Sequence, residues 1–230
     1  MKLSVLIPVY NEEATVAELI QRVLAAPVEK EIIAVDDGST DGTPRALAAI
    51  AAAHPEVRVL RHEGNRGKGA AIRTALQAAT GDYVLIQDAD LEYDPNDYGA
   101  LLRPVVEQGA PVVYGSRILG ANRASYWRYY VGGRIVSMVT NLLFGTALTD
   151  VPTCYKLFRA DVLRSLVLKE DGFGFCYEAT AQLAARGIPV QEVPVRYEPR
   201  RFGEGKKIRW RDGARALWIL LSHRFGRRSG

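Results

Sequence analysis

The sequence predicts an α/β protein built on a doubly wound, mostly parallel sheet. Short apolar runs of strand length alternate with amphipathic or alanine-rich helical segments through about the first hundred residues, a pattern typical of such sheets. The runs at 3–9 and 83–86 are almost wholly apolar, as expected for strands that are covered on both faces. Each run ends abruptly in polar residues. Right-handed crossovers between parallel strands then bring those polar residues to one edge of the sheet.

The individual elements follow from residue spacing and from turn residues. Apolar residues recur at helical intervals between the strands, and Pro27 ends the first helix. Pro194 marks the last predicted strand as an edge strand, because proline lacks the donor that a central strand needs. The predicted strands lie at 3–9, 31–35, 57–60, 83–86, 111–115 and 190–197. The predicted helices lie at 16–24, 43–50, 70–79, 98–106, 161–166 and 177–186, with a final amphipathic helix at 214–225.

Length and composition indicate one globular domain with an appendage. The chain has 230 residues, 48% of them hydrophobic and 24% charged, which is ordinary for a globular protein. We expect the sheet domain to cover 1–200, and a basic loop and an amphipathic helix at 201–230 to extend that domain. Cys154 and Cys176 lack a metal-binding spacing and fit reduced thiols in a cytosolic chain. Neither a signal peptide nor a membrane-spanning run is expected.

Positive charge is concentrated near the C-terminus. The net charge is only +4, but the segment 196–228 is dense in Arg and Lys. This asymmetry favours an anionic partner, for which phosphate, acidic lipid and nucleic acid are the alternatives. The segment lacks the regular aromatic spacing of proteins that bind single-stranded nucleic acid, so no nucleic-acid partner is expected.

Three carboxylates follow the fourth strand directly, at Asp88, Asp90 and Glu92. Alternate residues of an extended segment point the same way, so these side chains are expected to converge on one point. Hard oxygen ligands suit Mg²⁺ or Mn²⁺, and such ions usually complete their coordination shell with substrate phosphates. A solvated acidic turn that caps the next helix is the alternative explanation.

Other polar residues are predicted at the same edge of the sheet. Residues 10–12 and 36–37 follow the first two strands, where ligands bind in α/β sheets. The glycine-rich basic loop 64–69 precedes a helix whose backbone amides can face an anion, with a plain flexible turn as the alternative. Arg117 follows the fifth strand, where it can pair bidentately with phosphate or form a structural salt bridge.

Two segments have the character of interfacial helices. Residues 126–144 mix aromatic, apolar and basic side chains, and the last helix carries an apolar stripe flanked by arginines. Both segments could lie on a membrane with their aromatic residues at headgroup level. A core or dimer helix is the alternative for 126–144, and a helix docked on the sheet is the alternative for the last one.

The motifs are far more specific in combination than alone. In chain order they are VLIPVYNE at 5–12, VDDGSTDGT at 35–43, GNRGKG at 64–69, DADLE at 88–92 and GSR at 115–117. In this arrangement the chain resembles the family 2 glycosyltransferases of GT-A fold over residues 1–200. It is most similar to the dolichol-phosphate mannose synthase branch, which includes bacterial polyprenyl-phosphate sugar transferases.

The resemblance implies roles for individual residues. Asp88, Asp90 and Glu92 would hold Mg²⁺ or Mn²⁺, although the family often has Gln where this chain has Glu92. In that family the basic loop near the C-terminus usually reads Gly-x-Ser-Lys. The matching residues of this chain are 203–206, with Gly205 in place of the serine. The implied nucleotide-sugar site comprises Pro8, Tyr10, Glu12, Val35, Asp37, Lys68, Asp88, Ala89, Asp90, Arg201 and Lys206. The implied acceptor site comprises Arg117, Arg134, Ser137 and Asn141.

Three functional hypotheses follow. The leading one is an inverting, metal-dependent hexosyltransferase that uses a GDP-mannose or UDP-glucose type of donor and a polyprenyl phosphate acceptor. It would act as a peripheral protein at the cytoplasmic face of the membrane, as a monomer or a homodimer. Asp90 and Arg117 would then carry the chemistry, because a lipid phosphate needs no general base. The second hypothesis keeps the donor but takes a hydroxyl acceptor, with Asp150 as the base. The third is an idle module that binds nucleotide sugar or nucleic acid.

Overall fold

A computed structural model of the chain describes residues 1–120, 122, 127–200 and 210–226, excluding the side chains of 127–129 and 210–212. Strands and helices alternate through its first half, as predicted. The strands of the described residues are β1 (Leu3–Val9), β2 (Lys30–Asp36), β3 (Val57–Arg61), β4 (Tyr83–Ile86), β5 (Val112–Ser116), β6 (Lys156–Arg159) and β7 (Gln191–Pro194). The helices are α1 (Val16–Ala25), α2 (Thr43–Ala53), α3 (Lys68–Ala78), α4 (Tyr98–Gln108), α5 (Trp127–Phe144), α6 (Ala160–Ser165), α7 (Phe175–Ala185) and α8 (Trp210–Phe225).

The predicted α/β fold class is confirmed. The strands form one mostly parallel sheet in the order β3-β2-β1-β4-β6-β5-β7. Parallel pairing joins β1 to β2 and β4, β2 to β3, and β5 to β7. β6 runs antiparallel to both of its neighbours, β4 and β5. β7 lies at the sheet edge, as the proline in its sequence predicts.

Strand β6 is absent from the sequence prediction. It has only four residues, and the first of them, Lys156, is fully buried. The Lys156 Nζ donates to the Val151 carbonyl at 3.0 Å and lies 3.2 Å from the centroid of the Tyr114 ring. A short run that begins with lysine lacks the apolar pattern of a central strand, so tertiary contacts override the local signal here.

Apolar side chains cover both faces of the sheet. Helices α1, α2 and α4 pack on one face, and α3, α6 and α7 pack on the other. A smaller cluster joins Val136 of α5 and Ala181 of α7 to Ala216 and Leu220 of α8. The last helix is therefore docked on helices α5 and α7, whereas the alternative expected from the sequence was docking on the sheet itself.

The topology determines where a site can form. Because β1, β2, β4, β5 and β7 run in the same direction, the segments after these strands meet at one edge of the sheet. The antiparallel β6 starts at that edge, so the segment 149–155 that precedes it joins them.

Candidate active site

The acidic residues after β4 lie in a turn rather than in an extended segment. β4 ends at Ile86, Leu91 has a positive φ of 63°, and the Glu92 N–H donates to Asp90 Oδ1 at 3.1 Å. The expected strand-like alternation is therefore wrong, because the chain folds back as soon as the strand pairing ends. The turn still brings Asp88 and Glu92 close enough for their charges to act on Asp90.

The acidic turn carries an excess of buried negative charge. Burial, and then the charges of Asp88 and Glu92, raises the pKa of Asp90 to about 7. Lys68 forms an ion pair with Asp88. Burial would lower the pKa of Lys68, but the charge of Asp88 outweighs it and holds that pKa well above its usual value. Lys68 is therefore a permanent cation beside Asp88, whereas Asp90 is left short of positive charge.

The segment after β7 closes over the acidic turn. Tyr197 Oη donates to Glu92 Oε2 at 2.7 Å, and the Arg200 N–H donates to Glu92 Oε1 at 2.9 Å. The Arg200 guanidinium reaches Glu12 Oε2 at 2.5 Å, and its Nε donates to the Asp90 carbonyl at 3.0 Å. Arg200 thus ties the loop after β1 to the acidic turn.

Arg200 and Tyr197 are site residues that the sequence does not single out. The residues predicted to reach the donor from this part of the chain are Arg201 and Lys206, and both lie outside the described residues. Arg200 is their immediate neighbour in the same basic run. The sequence shows the run, and the fold shows that Arg200 meets Glu12.

The donor set fits a hard divalent cation through two carboxylates. Across the described ranges, no three Asp, Glu, His or Cys side chains form a ready group for a metal ion. Glu92 is the third predicted metal ligand, and both of its oxygens accept hydrogen bonds from the protein, which leaves it fewer lone pairs for an ion. Asp88 and Asp90 would hold Mg²⁺ or Mn²⁺ together with donor phosphates. The pKa of Asp90 is raised because its buried, ionised form lacks a compensating positive charge, which a divalent ion would supply.

Asp37 organises the glycine-rich loop. Its carboxylate accepts the N–H groups of Arg66 at 3.0 Å and Gly67 at 2.7 Å, and it lies 2.6 Å from His62 Nδ1. His62 is buried and bonds Thr74 through Nε2 at 2.9 Å. The amides of Arg66 and Gly67 therefore face a carboxylate of the protein instead of an incoming anion. Asp37 and His62 fix the loop that carries Lys68.

Two glycines allow the loops to approach this closely. Gly67 has a φ of 97°, and a Cβ there would lie 2.4 Å from the Asp171 carbonyl oxygen. Gly38 has a φ of 73°, and a Cβ there would lie 2.5 Å from the Gly64 backbone. Larger residues at either position would be strained and would push the loops apart.

The remaining residues of the predicted nucleotide site differ in exposure. Pro8 and Tyr10 are partly exposed around the end of β1. Ala89, within the acidic turn, is buried. Val35 is fully buried in the core with Leu6, so its side chain does not line an open pocket. Val35 could contribute to a nucleotide site only through the strand that it supports.

Arg117 and Asp150 form the second charged centre of this edge. Asp150 Oδ2 accepts the Arg117 backbone N–H at 2.9 Å and its Nε at 2.8 Å, and Oδ1 accepts Nη2 at 2.8 Å. Asp150 is buried, whereas the Arg117 side chain is 26% exposed. The Arg117 guanidinium also lies over the Tyr197 ring, 5.1 Å from its centroid. This arginine is fixed in place with part of its surface turned outward.

The backbone that carries Asp150 is held by side chains from other elements. Four consecutive N–H groups, from Leu148 to Val151, each donate to a side-chain oxygen. Asn141 accepts the first at 2.9 Å, Glu192 accepts the next two at 2.7 and 2.9 Å, and Ser137 accepts the last at 3.0 Å. Ser137 and Asn141, which are predicted to meet the acceptor, thus support this turn. Arg134 is exposed one helical turn before Ser137.

A family model for glycosyl transferase family 2 matches residues 4–167. The chain belongs to glycosyl transferase family 2. It is 32% identical over 88% of its length to polyprenol monophosphomannose synthase of Mycolicibacterium smegmatis, covering 79% of that protein. It is 30% identical over 98% of its length to undecaprenyl-phosphate mannosyltransferase of Micrococcus luteus, covering all of it. It is also 30% identical over 95% of its length to the low-salt glycan biosynthesis hexosyltransferase of Haloferax volcanii, but spans only 53% of that longer protein.

Solved glycosyltransferase structures have the same fold as this chain. The chain aligns with glucosyl-3-phosphoglycerate synthase of Mycobacterium tuberculosis in complex with Mg²⁺ and UDP, with a TM-score of 0.75 and 24% identity. That alignment covers 97% of this chain and 79% of the other. Family membership makes the chain a glycosyltransferase of GT-A-like fold, and an enzyme rather than an idle binding module.

Proposed function

We propose that this glycosyltransferase moves a hexose from a nucleotide-diphosphate sugar to a polyprenyl phosphate. The end-to-end similarity to undecaprenyl-phosphate mannosyltransferase supports a lipid-phosphate acceptor. The observation that carries the proposal is the Arg117 guanidinium, oriented by Asp150 at the same sheet edge as the acidic turn. An oriented, partly exposed guanidinium is well matched to a phosphate group.

The donor half of the reaction would take place at the acidic turn. Asp88 and Asp90 would hold Mg²⁺ or Mn²⁺, and that ion would stabilise the negative charge that develops on the diphosphate leaving group. Lys68 lies beside Asp88 as a permanent cation and would orient the diphosphate. A donor of the GDP-mannose or UDP-glucose type satisfies these requirements.

The acceptor half needs positioning more than proton transfer. A lipid phosphate is already anionic, so its oxygen can attack the sugar carbon without a general base. Attack from the face opposite the leaving group inverts that carbon. Within the described residues, Arg117 Nη1 makes no hydrogen bond, which leaves its donors for the phosphate. Arg134, exposed on α5, is the second cation that we assign to the acceptor.

The geometry disfavours the hydroxyl-acceptor alternative. A general base needs an oxygen that can take up a proton from the acceptor. Both oxygens of Asp150 already accept hydrogen bonds from Arg117, and the carboxylate is buried. We therefore propose that Asp150 orients Arg117 and that the reaction proceeds without a base.

We also propose that the protein contacts a membrane surface through α5 and α8. No helix in the described part of the chain is long and apolar enough to span a bilayer. Each of these two helices nevertheless exposes an apolar stripe at helical spacing. The exposed stripe residues are Ile135, Met138 and Leu142 on α5, and Trp218, Leu221 and Phe225 on α8.

The test is a transfer assay with the purified protein and donors labelled in the sugar. UDP-glucose and GDP-mannose are each incubated with undecaprenyl phosphate and Mn²⁺, and the label is followed into the organic phase. We expect transfer from one of the two donors and its loss with EDTA. Undecaprenol, which lacks the phosphate, is the matched acceptor control.

The outcomes separate the alternatives. Label on undecaprenyl phosphate but not on undecaprenol supports the proposal. Equal label on undecaprenol would overturn the phosphate acceptor and favour a hydroxyl. Absence of transfer from every donor to undecaprenyl phosphate would overturn the lipid-phosphate proposal, and transfer that persists in EDTA would remove the metal from it.

A further inference from the structure

Glu192 lies beneath the turn that carries Asp150. It is on the edge strand β7, in register with Tyr114 of β5. Its two carboxylate oxygens each accept one backbone N–H, from Thr149 at 2.7 Å and from Asp150 at 2.9 Å. Hydrogen bonds to an ionised acceptor are about twice as strong as neutral ones. One side chain thus fixes two consecutive residues of the turn.

Those two residues in turn fix the end of β5. Thr149 Oγ1 lies 2.6 Å from Ser116 Oγ, and the Asp150 carboxylate receives three hydrogen bonds from Arg117. The contacts form a continuous chain from the Glu192 carboxylate through the turn backbone to the Arg117 guanidinium. No step in this chain is longer than 3.0 Å.

Packing cannot replace these hydrogen bonds on the side of Glu192. A cavity of about 430 Å³ borders Glu192, and Leu148 and Val190 also line it. A side chain beside an open cavity has few neighbours to hold it by contact. The orientation of the turn there therefore depends on the paired oxygens of Glu192.

We propose that Glu192 is a positioning residue that sets the orientation of Arg117 toward the acceptor phosphate. This inference rests on the proposed function, in which Arg117 binds that phosphate. The two N–H donors each meet a different oxygen of Glu192, and a carboxylate has two such oxygens whereas an amide has one. Glutamine at this position would keep the volume but present an NH₂ group to one of the two donors.

The first test compares Glu192→Gln with the wild-type enzyme in undecaprenyl phosphate transfer. We expect kcat to fall by about tenfold to a hundredfold, because one N–H donor is left unpaired and the hydrogen bond of the other is no longer charge-assisted. The donor KM should stay within about threefold, because the acidic turn is untouched. Gln191→Glu, the reverse exchange at the neighbouring residue, is the control and should leave kcat within about twofold. Among the described residues, the Gln191 side chain bonds only the exposed side chain of Gln108.

The second test is a double-mutant cycle with Arg117→Lys. If Glu192 acts through Arg117, adding Glu192→Gln to that variant should lower kcat by less than about threefold further. Losses that multiply would mean that Glu192 contributes only general stability, and would overturn the proposal. The Nε–H signal of Arg117 in a ¹⁵N spectrum gives a readout that needs no activity. We expect Glu192→Gln to speed its exchange with water, and an unchanged rate would also count against the proposal.

The proposed function and the proposed role of Glu192 can be overturned separately. Wild-type protein that transfers no sugar to undecaprenyl phosphate would overturn the proposed function. Wild-type protein that transfers sugar, together with a Glu192→Gln variant of unchanged kcat, would leave the proposed function intact and overturn only the role of Glu192.

Discussion

The two ends of the sheet edge are built in different ways. At the donor end, Asp37 and Asp88 belong to short motifs that follow their own strands, β2 and β4, and a distant segment covers the acidic turn through Tyr197 and Arg200. At the acceptor end, the turn that carries Asp150 is held by α5 and β7, with Glu192 more than forty residues away in sequence. The carboxylates of the donor end are therefore encoded in local motifs, whereas the turn that carries Asp150 takes its support from distant segments.

The electrostatics of the two ends differ in the same sense. The donor end keeps an unbalanced carboxylate at Asp90, which a cation and a diphosphate can exploit. The acceptor end matches its charges internally, since the Asp150 carboxylate pairs with Arg117. At the donor end, a bound cation would supply the positive charge that Asp90 lacks. At the acceptor end, Asp150 instead orients the Arg117 guanidinium toward the ligand.

The sharpest test of this contrast is Asp90→Asn at the donor end. The metal ion that stabilises the diphosphate requires the Asp90 carboxylate as a ligand. Removing the Asp90 charge should therefore lower kcat by a factor on the order of 1000. Asp82→Asn is the matched control at the other end of β4, where Asp82 accepts the Lys2 N–H, and it should retain near wild-type transfer. Full turnover by Asp90→Asn with Mn²⁺ present would remove the acidic turn from the mechanism.

Lys156 is buried near the turn that carries Asp150, and the pH dependence of stability shows whether its amine is charged in the folded protein. Burial lowers the pKa of Lys156 to about 8, from an ordinary value near 10.5. Between pH 8 and 10.5, Lys156 is protonated in the unfolded chain but has lost its proton in the folded protein. The folded state therefore gains stability as the pH rises through this range. The unfolding free energy of wild type minus that of Lys156→Met should increase by about 3 kcal/mol across this window.

Urea unfolding at pH 7, 8, 9 and 10 measures this difference. Lys169→Met, at an exposed position, is the control and should show a difference that does not change with pH. A flat difference for Lys156→Met would show that the buried ammonium stays charged against the Tyr114 ring and the Val151 carbonyl.

Asp150→Asn sharpens the distinction between aiming and proton transfer. If Asp150 orients Arg117, the variant should lose about tenfold to a hundredfold in kcat, because an amide satisfies fewer of the three donors. That loss should be the same at every pH between 6 and 9. A loss that changes steeply with pH would instead indicate a base, and would restore the hydroxyl acceptor as the better hypothesis.

The smallest expected effect concerns the exposed stripe of α5. Met138 and Leu142 are 64% and 85% exposed, so replacing both with Glu should leave the melting temperature nearly unchanged. Flotation with anionic phospholipid vesicles should show about tenfold weaker binding, because the apolar contact with the bilayer is lost. Val106→Glu, an equally exposed position on α4, is the control. Unchanged flotation of the double variant would exclude this stripe as the membrane contact.

The same contrast explains what the sequence could predict. The parallel strands and the donor-end motifs are local patterns, and the structure has them where the patterns indicate. β6 could not be predicted, because its stability comes from pairing on both sides and from a buried lysine. Arg200 and Glu192 were missed because their partners, Glu12 and Asp150, are distant in sequence.

The turn 148–151 takes its shape from outside its own sequence. The side chains that hold its four amides belong to Ser137, Asn141 and Glu192, none of which lies in the turn. Grafting residues 148–151 alone into a related protein would therefore transfer the sequence of the turn without its conformation. These three positions have to move with it as one inherited unit. Drift in acceptor choice can begin at them while the residues of the turn itself remain unchanged.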